Sequence, residues 1–350
     1  MKLVIKILMA FVVAGGIASA QTAPDADNLE QARQFVAAKQ LDKANLLLSD
    51  LVRRDPRNEW ALVELGKVQL AQGLNDDALK SFEAVLGNSP GSAQAREGEV
   101  KAAAAAALAD RRAGVDGRAL LYLIRARKFV PDSPELLLDF GVQAESMHIY
   151  QDADAALTKA HELAPEDAKI VYALAHVQLD EGKMPEAEGN LRAYLKMRPN
   201  DATAHYGLGR LLHVLLRNDD AIAELKQSLT LQPRQTASYY ELGEMALEQN
   251  DEGGAKSEYE KVLDLAPHHG GALTGMGIVA FRKKDYRTAE QYLQNAIFYA
   301  SDYPRAHHFY ALALARLGRP DESKAQAELA TSLDEQQTKT SRGNFLTEIH

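Results

Sequence analysis

The chain has 350 residues, of which 46% are hydrophobic, 7% are aromatic and none is cysteine. It carries 40 basic and 49 acidic side chains, a formal charge of −9, which disfavours nucleic acid as a partner. The absence of thiols excludes disulfides, thiolate metal sites and cysteine nucleophiles, and the length exceeds what one compact core usually organises.

The segment 1–20 has the three parts of a secretory signal peptide. Lys2 and Lys6 give a basic start, an apolar run follows at residues 7–14, and the small residues Ala18 and Ala20 precede the predicted cut. Because this run is shorter than the roughly 20 residues that a membrane-spanning helix needs, we favour a cleaved signal over an uncleaved anchor. We therefore expect an exported protein, periplasmic or secreted, whose mature form begins with a short leader at residues 21–24 and has no direct membrane span.

From residue 25 to residue 337 the sequence repeats itself. Alanines recur at one constant interval, lengthened once between the second and the third, at Ala44, Ala78, Ala119, Ala153, Ala187, Ala221, Ala255 and Ala289. Prolines follow seven of these alanines, always at the same distance, at Pro56, Pro90, Pro131, Pro165, Pro199, Pro233 and Pro267. Because the two series share the same long interval, the sequence predicts about nine copies of one structural unit.

Each unit is predicted to form a helix hairpin. In residues 134–167, large apolar side chains such as Leu137 and Leu157 follow helical spacing on two successive segments. Small residues at Gly141 and Ala153 would let the two helices approach closely, since larger side chains there would push the helix axes apart.

A turn follows each hairpin. Proline lacks an N–H group and biases the preceding residue away from the helix, so Pro165 and Pro199 should each end a second helix. Asp167 and Asp201 follow closely and can cap the helix that comes next. We expect the extra residues of the long interval to form an insertion near residues 110–118, where glycine and charged residues interrupt the pattern.

The pattern resembles the tetratricopeptide repeat (TPR) family. Large-residue–glycine pairs typical of the first helix in that family stand at Leu65-Gly66, Phe140-Gly141, Leu208-Gly209, Leu242-Gly243 and Met276-Gly277. The resemblance implies an all-α fold, a right-handed α-solenoid of about nine stacked helix-turn-helix repeats over residues 25–337. Residues 338–350 would then form a loose C-terminal tail.

The resemblance also implies a function in binding, with a protein or peptide held in a concave groove lined by the first helices. The family's contact positions correspond here to ten candidate partner-binding residues: Tyr172, His176, Tyr206, Arg210, His213, Tyr240, Glu244, Phe281, Arg282 and Arg305. The resemblance therefore implies a groove made mainly by the repeats between residues 168 and 337.

Two alternatives remain open for parts of this surface. Tyr172, Tyr206 and Tyr240 stand at the same position of three successive repeats and can form a row of ligand contacts or belong to the packing of the scaffold. Arg282 and Arg305 can offer a basic end of the groove to a carboxylate, or they can simply be solvated.

The sequence does not favour an enzyme. It contains no His-Glu-x-x-His, no phosphate-binding Gly-x-x-x-x-Gly-Lys-Ser/Thr and no Gly-x-Gly-x-x-Gly element. The histidine pairs 268–269 and 307–308 would point apart on a helix, and we interpret His307 as a core residue. We predict no catalytic residues, no metal site and no cofactor.

The sequence thus predicts an exported protein–protein interaction scaffold, serving a cell-envelope assembly or secretion process. A non-catalytic accessory subunit of an envelope enzyme, or of a polysaccharide synthesis or export complex, is the alternative. The expected partner is a protein or peptide and not nucleic acid, while its identity and the oligomeric state are left open.

Overall fold

The computed structural model describes the backbone of residues 23–347 and the side chains of residues 27–337. The predicted signal peptide, residues 1–20, lies outside the described residues. Within them the chain forms eighteen α-helices and no strand, which confirms the all-α prediction.

The chain divides into two compact units at residue 147. The first unit contains α1 (Ala23–Ala37), α2 (Leu41–Arg54), α3 (Glu59–Ala71), α4 (Asn75–Asn88), α5 (Ala93–Arg112), α6 (Asp116–Arg127) and α7 (Pro134–Ser146). The second unit contains α8 (Tyr150–Leu163), α9 (Ala168–Asp180), α10 (Met184–Met197), α11 (Ala202–Val214), α12 (Asn218–Leu231), α13 (Thr236–Glu248), α14 (Glu252–Leu265), α15 (Gly270–Arg282), α16 (Tyr286–Tyr299), α17 (Pro304–Arg316) and α18 (Pro320–Thr347).

Consecutive helices pack as hairpins within each unit, as the repeat pattern predicts. The eight alanines of the repeat series are fully buried, which places them in the contact between helices. At Gly277 an added Cβ atom would lie 2.6 Å from the Leu293 side chain, so α15 and α16 could not approach as they do with a larger residue there. At Gly277 the small residue thus has the role that the repeat pattern predicts.

The turn between the two helices of each hairpin contains one residue in the left-handed conformation. These residues are Lys39, Gly73, Gly114, His148, Gly182, Leu216, Asn250, Lys284 and Gly318, and they keep the spacing of the repeat. A left-handed residue just after a helix satisfies its last carbonyl groups, and glycine adopts this conformation most easily. Only four of the nine are glycine, so the series is not evident in the sequence.

The long interval of the repeat is accommodated inside a helix, not by an insertion at residues 110–118. α5 has 20 residues, whereas α3 and α7 have 13 each, a difference of seven. Gly114 has φ +71° and makes the ordinary turn between hairpin helices. Alanine is the strongest helix former, so the alanine-rich segment 102–107 favours two more helical turns over an interruption.

The last helix is longer than predicted. α18 has 28 residues and continues to Thr347, so residues 338–347 are helical where a loose tail was expected. Among the described residues, none of the helices combines the length and the apolar character needed to cross a membrane.

Candidate functional site

All ten candidate partner-binding residues lie in the second unit, on α9, α11, α13, α15 and α17. Several of these helices begin at the capping residue predicted from the sequence. The Asp201 carboxylate accepts the backbone N–H groups of Thr203 and Ala204 at 3.0 Å each, and Asp167 accepts that of Lys169 at 2.8 Å. These caps fix where α9 and α11 begin and thus the direction of their tyrosine side chains.

An open cleft of about 560 Å³ lies beside the N-terminal ends of α15 and α17. It is lined by side chains from α11 and α13, the start of α15, the turn before α17 and the long helix α18, namely Tyr206, Ala237, Tyr240, His269, Gly270, Gly271, Ala300, Asp302, Tyr303 and Gln337. The Gln337 amide donates a hydrogen bond to the Asp302 carbonyl at 3.0 Å, which holds α18 against this rim. The cleft contains two of the predicted contact residues, Tyr206 and Tyr240.

Only two members of the predicted tyrosine row share the cleft. Tyr206 and Tyr240 line it, whereas Tyr172 packs against Tyr194 with ring centroids 4.6 Å apart and against His176 at 4.5 Å. The Tyr194 hydroxyl in turn donates to the capping residue Asp201 at 2.6 Å. Tyr172 therefore belongs to a separate aromatic cluster that is joined to the scaffold.

Tyr240 belongs to a partly buried polar network. Burial and the nearby charge of Glu244 raise the pKa of Tyr240, and a hydrogen bond with Tyr303 acts in the same direction. The Tyr259 hydroxyl donates to Glu244 at 2.6 Å, and burial followed by the same carboxylate raises the pKa of Tyr259. These phenols stay protonated at neutral pH, so they remain hydrogen-bond donors.

The network extends across the site through an ion pair. The Arg305 guanidinium on α17 donates to the Glu244 carboxylate on α13, 61 positions earlier in the chain. Burial opposes the charge of Arg305, but the bond to Glu244 keeps its pKa above the usual range. The predicted residues Tyr240, Glu244 and Arg305 are thus brought together, with Arg305 paired internally.

Two glycines let the rings and turns of the cleft approach the start of α15. A Cβ atom at Gly271 would lie 2.9 Å from the Tyr240 ring, and one at Gly270 would lie 2.6 Å from Ala300 Cβ. His269 caps α15, since its Nδ1 accepts the Ala272 N–H at 3.1 Å, and its ring centroid lies 5.0 Å from that of Tyr240. Burial lowers the pKa of His269, which favours the neutral ring that the cap requires.

The remaining polar candidates have other roles or lie on the open surface. His213 on α11 is bonded to Glu241 at 2.7 Å and to Glu248 at 2.9 Å, which ties α11 to α13. Arg282 donates to the Leu247 carbonyl at 2.7 Å, at the end of α13. His176 and Arg210 are exposed.

The aromatic candidate of α15 belongs to the core. Phe281 packs between Tyr286 and Phe309, with ring centroids 5.4 and 6.2 Å away. It therefore stabilises the contact of α15 with α16 and α17, and it does not line the cleft.

Eight of the ten residues that line the cleft were not among the predicted contacts, and two of these eight, His269 and Tyr303, are aromatic. They occupy the helix-capping position that is filled elsewhere by Asn58, Ser92, Ser133, Asp167, Asp201 and Gln235, each in register with the repeat. An aromatic ring at a position that favours small polar caps breaks the local rule, and such departures concentrate at functional sites. This exception is visible in the sequence and could have identified both residues.

Two sequence features that could suggest catalysis or metal binding, His307 and the segment 87–91, have structural roles in this fold. His307 is buried and bonds Gln326 at 2.6 Å and the Ser301 carbonyl at 2.9 Å, which confirms its interpretation as a core residue. The segment 87–91 reads Gly-Asn-Ser-Pro-Gly and matches the Gly-x-Ser-x-Gly pattern of hydrolases. It joins α4 to α5, whereas the nucleophile elbow requires a strand before the serine, and the part of the chain described here has none.

Comparison with known families identifies the repeat. One tetratricopeptide repeat family model matches residues 172–223, 214–269 and 274–336, and a second one matches residues 35–104. Among curated proteins, none matches the chain.

Three solved structures illustrate the similarity of this chain to known proteins. The pilF protein of Pseudomonas aeruginosa is 21% identical, with 55% of this chain and 88% of that chain covered and a TM-score of 0.50. Yeast Tom70 is 14% identical over 89% of this chain and 79% of its own, with a TM-score of 0.47. YrrB, described as a TPR protein with an unusual peptide-binding site, is 22% identical over 53% and 96%, with a TM-score of 0.44. At these identities the similarity is one of fold.

Proposed function

Because the chain belongs to the tetratricopeptide repeat family, whose members mediate protein–protein or peptide binding, we propose that it is an exported scaffold that binds an extended segment of a partner protein in the cleft of its second unit. The observation that carries this proposal is the placement of Tyr206 and Tyr240, which hold the same first-helix position in successive repeats, on one open cleft. Tyrosine contributes flat apolar area and a hydroxyl donor at a low cost in side-chain entropy, which suits contact with a peptide.

The surroundings of the cleft support a binding role. Tyr240 packs against the rings of Tyr259 and His269, with centroids 6.1 and 5.0 Å away, and it is hydrogen-bonded to Tyr303, so its ring is held in place before a ligand arrives. The proposed scaffold acts by holding its partner, and any chemistry would belong to that partner.

Export is proposed on the basis of the sequence. The basic start, the short apolar run and the small residues before Gln21 match a cleavable signal, so we propose a periplasmic or secreted location. Cell fractionation and N-terminal sequencing test this: a mature chain that begins at Gln21 in the envelope fraction is expected. Recovery of the chain from the cytoplasm with residues 1–20 intact would contradict it.

Within the envelope we propose a role in an assembly or secretion process. A non-catalytic subunit of an envelope enzyme or polysaccharide export complex remains the second candidate, because the same cleft could anchor a synthase. The two differ in the protein captured: a structural or secreted protein supports the first role, whereas a glycan-modifying enzyme supports the second.

The binding site is tested by affinity capture from envelope extract. A double variant, Tyr206→Ala with Tyr240→Ala, is compared with Tyr172→Ala, a change of the same residue type at the same repeat position outside the cleft. We expect the double variant to lose specific partners that the control retains, while circular dichroism shows equal helix content. If the double variant, still folded, captured the same partners as the control, the cleft would not be the binding site.

A further inference from the structure

His213 joins two neighbouring repeats of the second unit through both of its ring nitrogens. Its Nδ1 lies 2.7 Å from a carboxylate oxygen of Glu241, and its Nε2 lies 2.9 Å from one of Glu248. His213 is on α11, and both glutamates are on α13. The imidazole and Glu241 are largely buried, with side chains 13% and 15% exposed, whereas Glu248 reaches the surface. The ring therefore bridges the first helices of two successive repeats.

This geometry requires a charged ring. A neutral imidazole has one donor and one acceptor nitrogen, whereas an ionised carboxylate only accepts hydrogen bonds. Both bonds to glutamate can therefore be made together only while His213 carries a proton on each nitrogen. When the ring loses one of these protons, a nitrogen lone pair faces a carboxylate oxygen, and one side of the bridge changes from attraction to repulsion.

The charges that face the ring come from α13. Burial opposes the charge of His213, but the bonds to Glu241 and Glu248 raise its pKa above the usual 6.5. The third acid of α13, Glu244, is bonded to Tyr259 and Arg305. The protonation of His213 is thus governed by two carboxylates of the neighbouring repeat.

The other helices packed against α11 are α10 and α12, and their charged residues are engaged elsewhere or exposed. Glu224 of α12 is bonded to His205, and Glu188 of α10 is paired with Arg192 and Arg217. The remaining charged side chains of these two helices, and the neighbouring arginine on α11 itself, are exposed to solvent: Glu186, Lys196, Asp219, Asp220, Lys226 and Arg210.

The repeat does not require a histidine at this position. Leu179 fills it in the preceding repeat, and Leu247 and Phe281 fill it in the next two. Those apolar side chains pack in the same way at any pH, whereas a histidine makes the contact depend on a proton. A charged group where neighbouring repeats are apolar breaks the local rule of the fold, and such departures concentrate at functional sites.

We propose that His213 is a pH-dependent tie within the second unit: the charged ring holds α11 against α13 in acidic solution, and loss of a proton lets the two helices separate locally as the pH rises. α11 carries Tyr206 and α13 carries Tyr240, the predicted contact residues that line the cleft. The tie therefore sets how firmly two of the helices that form the cleft are joined.

The direction of the effect follows from proton linkage. Below pH 6.5 the ring is charged in the folded and in the unfolded chain, so the tie contributes in full. Because the pKa is raised in the folded state, this contribution is lost as the pH rises through the raised value. Opening between α11 and α13 should therefore become easier on the alkaline side of 6.5.

The test is hydrogen exchange of the full chain at pH 6 and pH 9, followed by mass spectrometry, with rates corrected for the intrinsic effect of pH. His213→Gln replaces the ring by a polar side chain that does not titrate. His308→Gln, at an exposed histidine on α17, is its matched control. Glu248→Gln removes one of the two facing charges at a side chain that is 62% exposed, so it preserves the fold.

Between pH 6 and pH 9 we expect the corrected exchange of α11 and α13 to accelerate about fivefold or more in the unmodified chain, since a charge-assisted bond is lost. His213→Gln should remove most of this acceleration, Glu248→Gln should reduce it, and His308→Gln should leave it unchanged. Corrected exchange that does not change with pH in the unmodified chain would overturn the proposal, as would an undiminished acceleration in folded His213→Gln. If His213→Gln does not fold, an undiminished acceleration in Glu248→Gln overturns it instead.

Discussion

At the scale of single residues, Glu99 is an unusual group in the first unit. Its side chain on α5 is completely buried, and neither carboxylate oxygen has a hydrogen-bond partner. Burial, reinforced by the negative charge of Glu83 and only partly opposed by Arg125, raises the pKa of Glu99 to about 8. The residue is therefore mostly protonated in the folded protein at neutral pH, whereas it is ionised in the unfolded chain.

This burial predicts a fall in stability at alkaline pH. Between pH 4.5 and about 8 the folded state binds one more proton than the unfolded state, so the free energy of unfolding decreases as the pH rises through this range. Glu99→Gln removes the penalty and should stabilise the protein by several kcal/mol at pH 9, at most about 4–5 kcal/mol, with much less gain at pH 5. Urea unfolding at both pH values measures this.

Glu97→Gln is the control for that experiment. Glu97 lies two residues earlier on α5, is exposed, and forms an ion pair with Lys101. Its replacement should change stability little and in the same way at both pH values. An equal effect of the two substitutions at pH 9 would show that Glu99 is not a buried neutral group.

Leu216 gives a second prediction at this scale. It holds a left-handed conformation with φ +59° in the turn between α11 and α12, and 81% of its surface is exposed, so its side chain gains little from burial. Glycine avoids the clash of Cβ in this conformation, and Leu216→Gly should stabilise the protein by about 1 kcal/mol.

The reverse change provides the matched control. Gly182 occupies the same repeat position with φ +75°, and Gly182→Leu should destabilise the protein by about 1–2 kcal/mol. Chemical unfolding measures both changes. If Leu216→Gly lowered stability, the left-handed turn would not be the source of strain.

At the scale of elements, α5 accommodates the seven extra residues of the long repeat interval by being longer than its counterparts. Its buried residues include Ala95, Ala102, Ala106 and Asp110, which form one continuous stripe along a helix of 20 residues. Seven residues turn an α-helix by almost two full turns, so adding a heptad shifts the stripe by only about 20°. The buried face of α5 therefore stays turned towards the core despite the seven extra residues.

Deletion of residues 102–108 should consequently preserve the fold. The shortened α5 would have the 13 residues of its counterparts and would keep its apolar face towards the core. Deletion of only five residues, 102–106, would rotate the following part of the helix by about 140° and expose the stripe. We expect near-normal helix content and cooperative melting for the first deletion, and a clear loss for the second by circular dichroism; similar losses for both would contradict the register argument.

The sequence is informative about elements where small residues repeat, and less so elsewhere. The alanine and proline series predicted the hairpins because close helix packing and turns demand particular residue types at fixed intervals. The left-handed turn could not be predicted at Asn250 and Lys284, because residues other than glycine adopt this conformation at a modest energetic cost. The Glu244–Arg305 pair could not be predicted, because it depends on side chains far apart in the chain meeting across folded repeats.

At the scale of the whole molecule, the candidate site belongs to one unit. Every residue that lines the cleft lies between Tyr206 and Gln337. Because repeats are stabilised mainly by contacts with their neighbours, a fragment of residues 148–350 should remain helical and capture the same partners from envelope extract as the full chain. Circular dichroism and affinity capture measure this, and a folded fragment that captures none of these partners would contradict the assignment of the site to the second unit.

The bond between Glu244 and Arg305 links two repeats of the second unit that are not neighbours in the sequence. In a linear array where each repeat contacts only its neighbours, an internal repeat can open locally while those on either side remain closed. Here α13 and α17 are joined directly, past the intervening hairpin of α15 and α16. Moving α17 away from α13 would separate two partly buried charges, so we expect the three repeats from α13 to α18 to exchange their amide hydrogens as one cooperative block, and a partner would meet a surface that is already rigid.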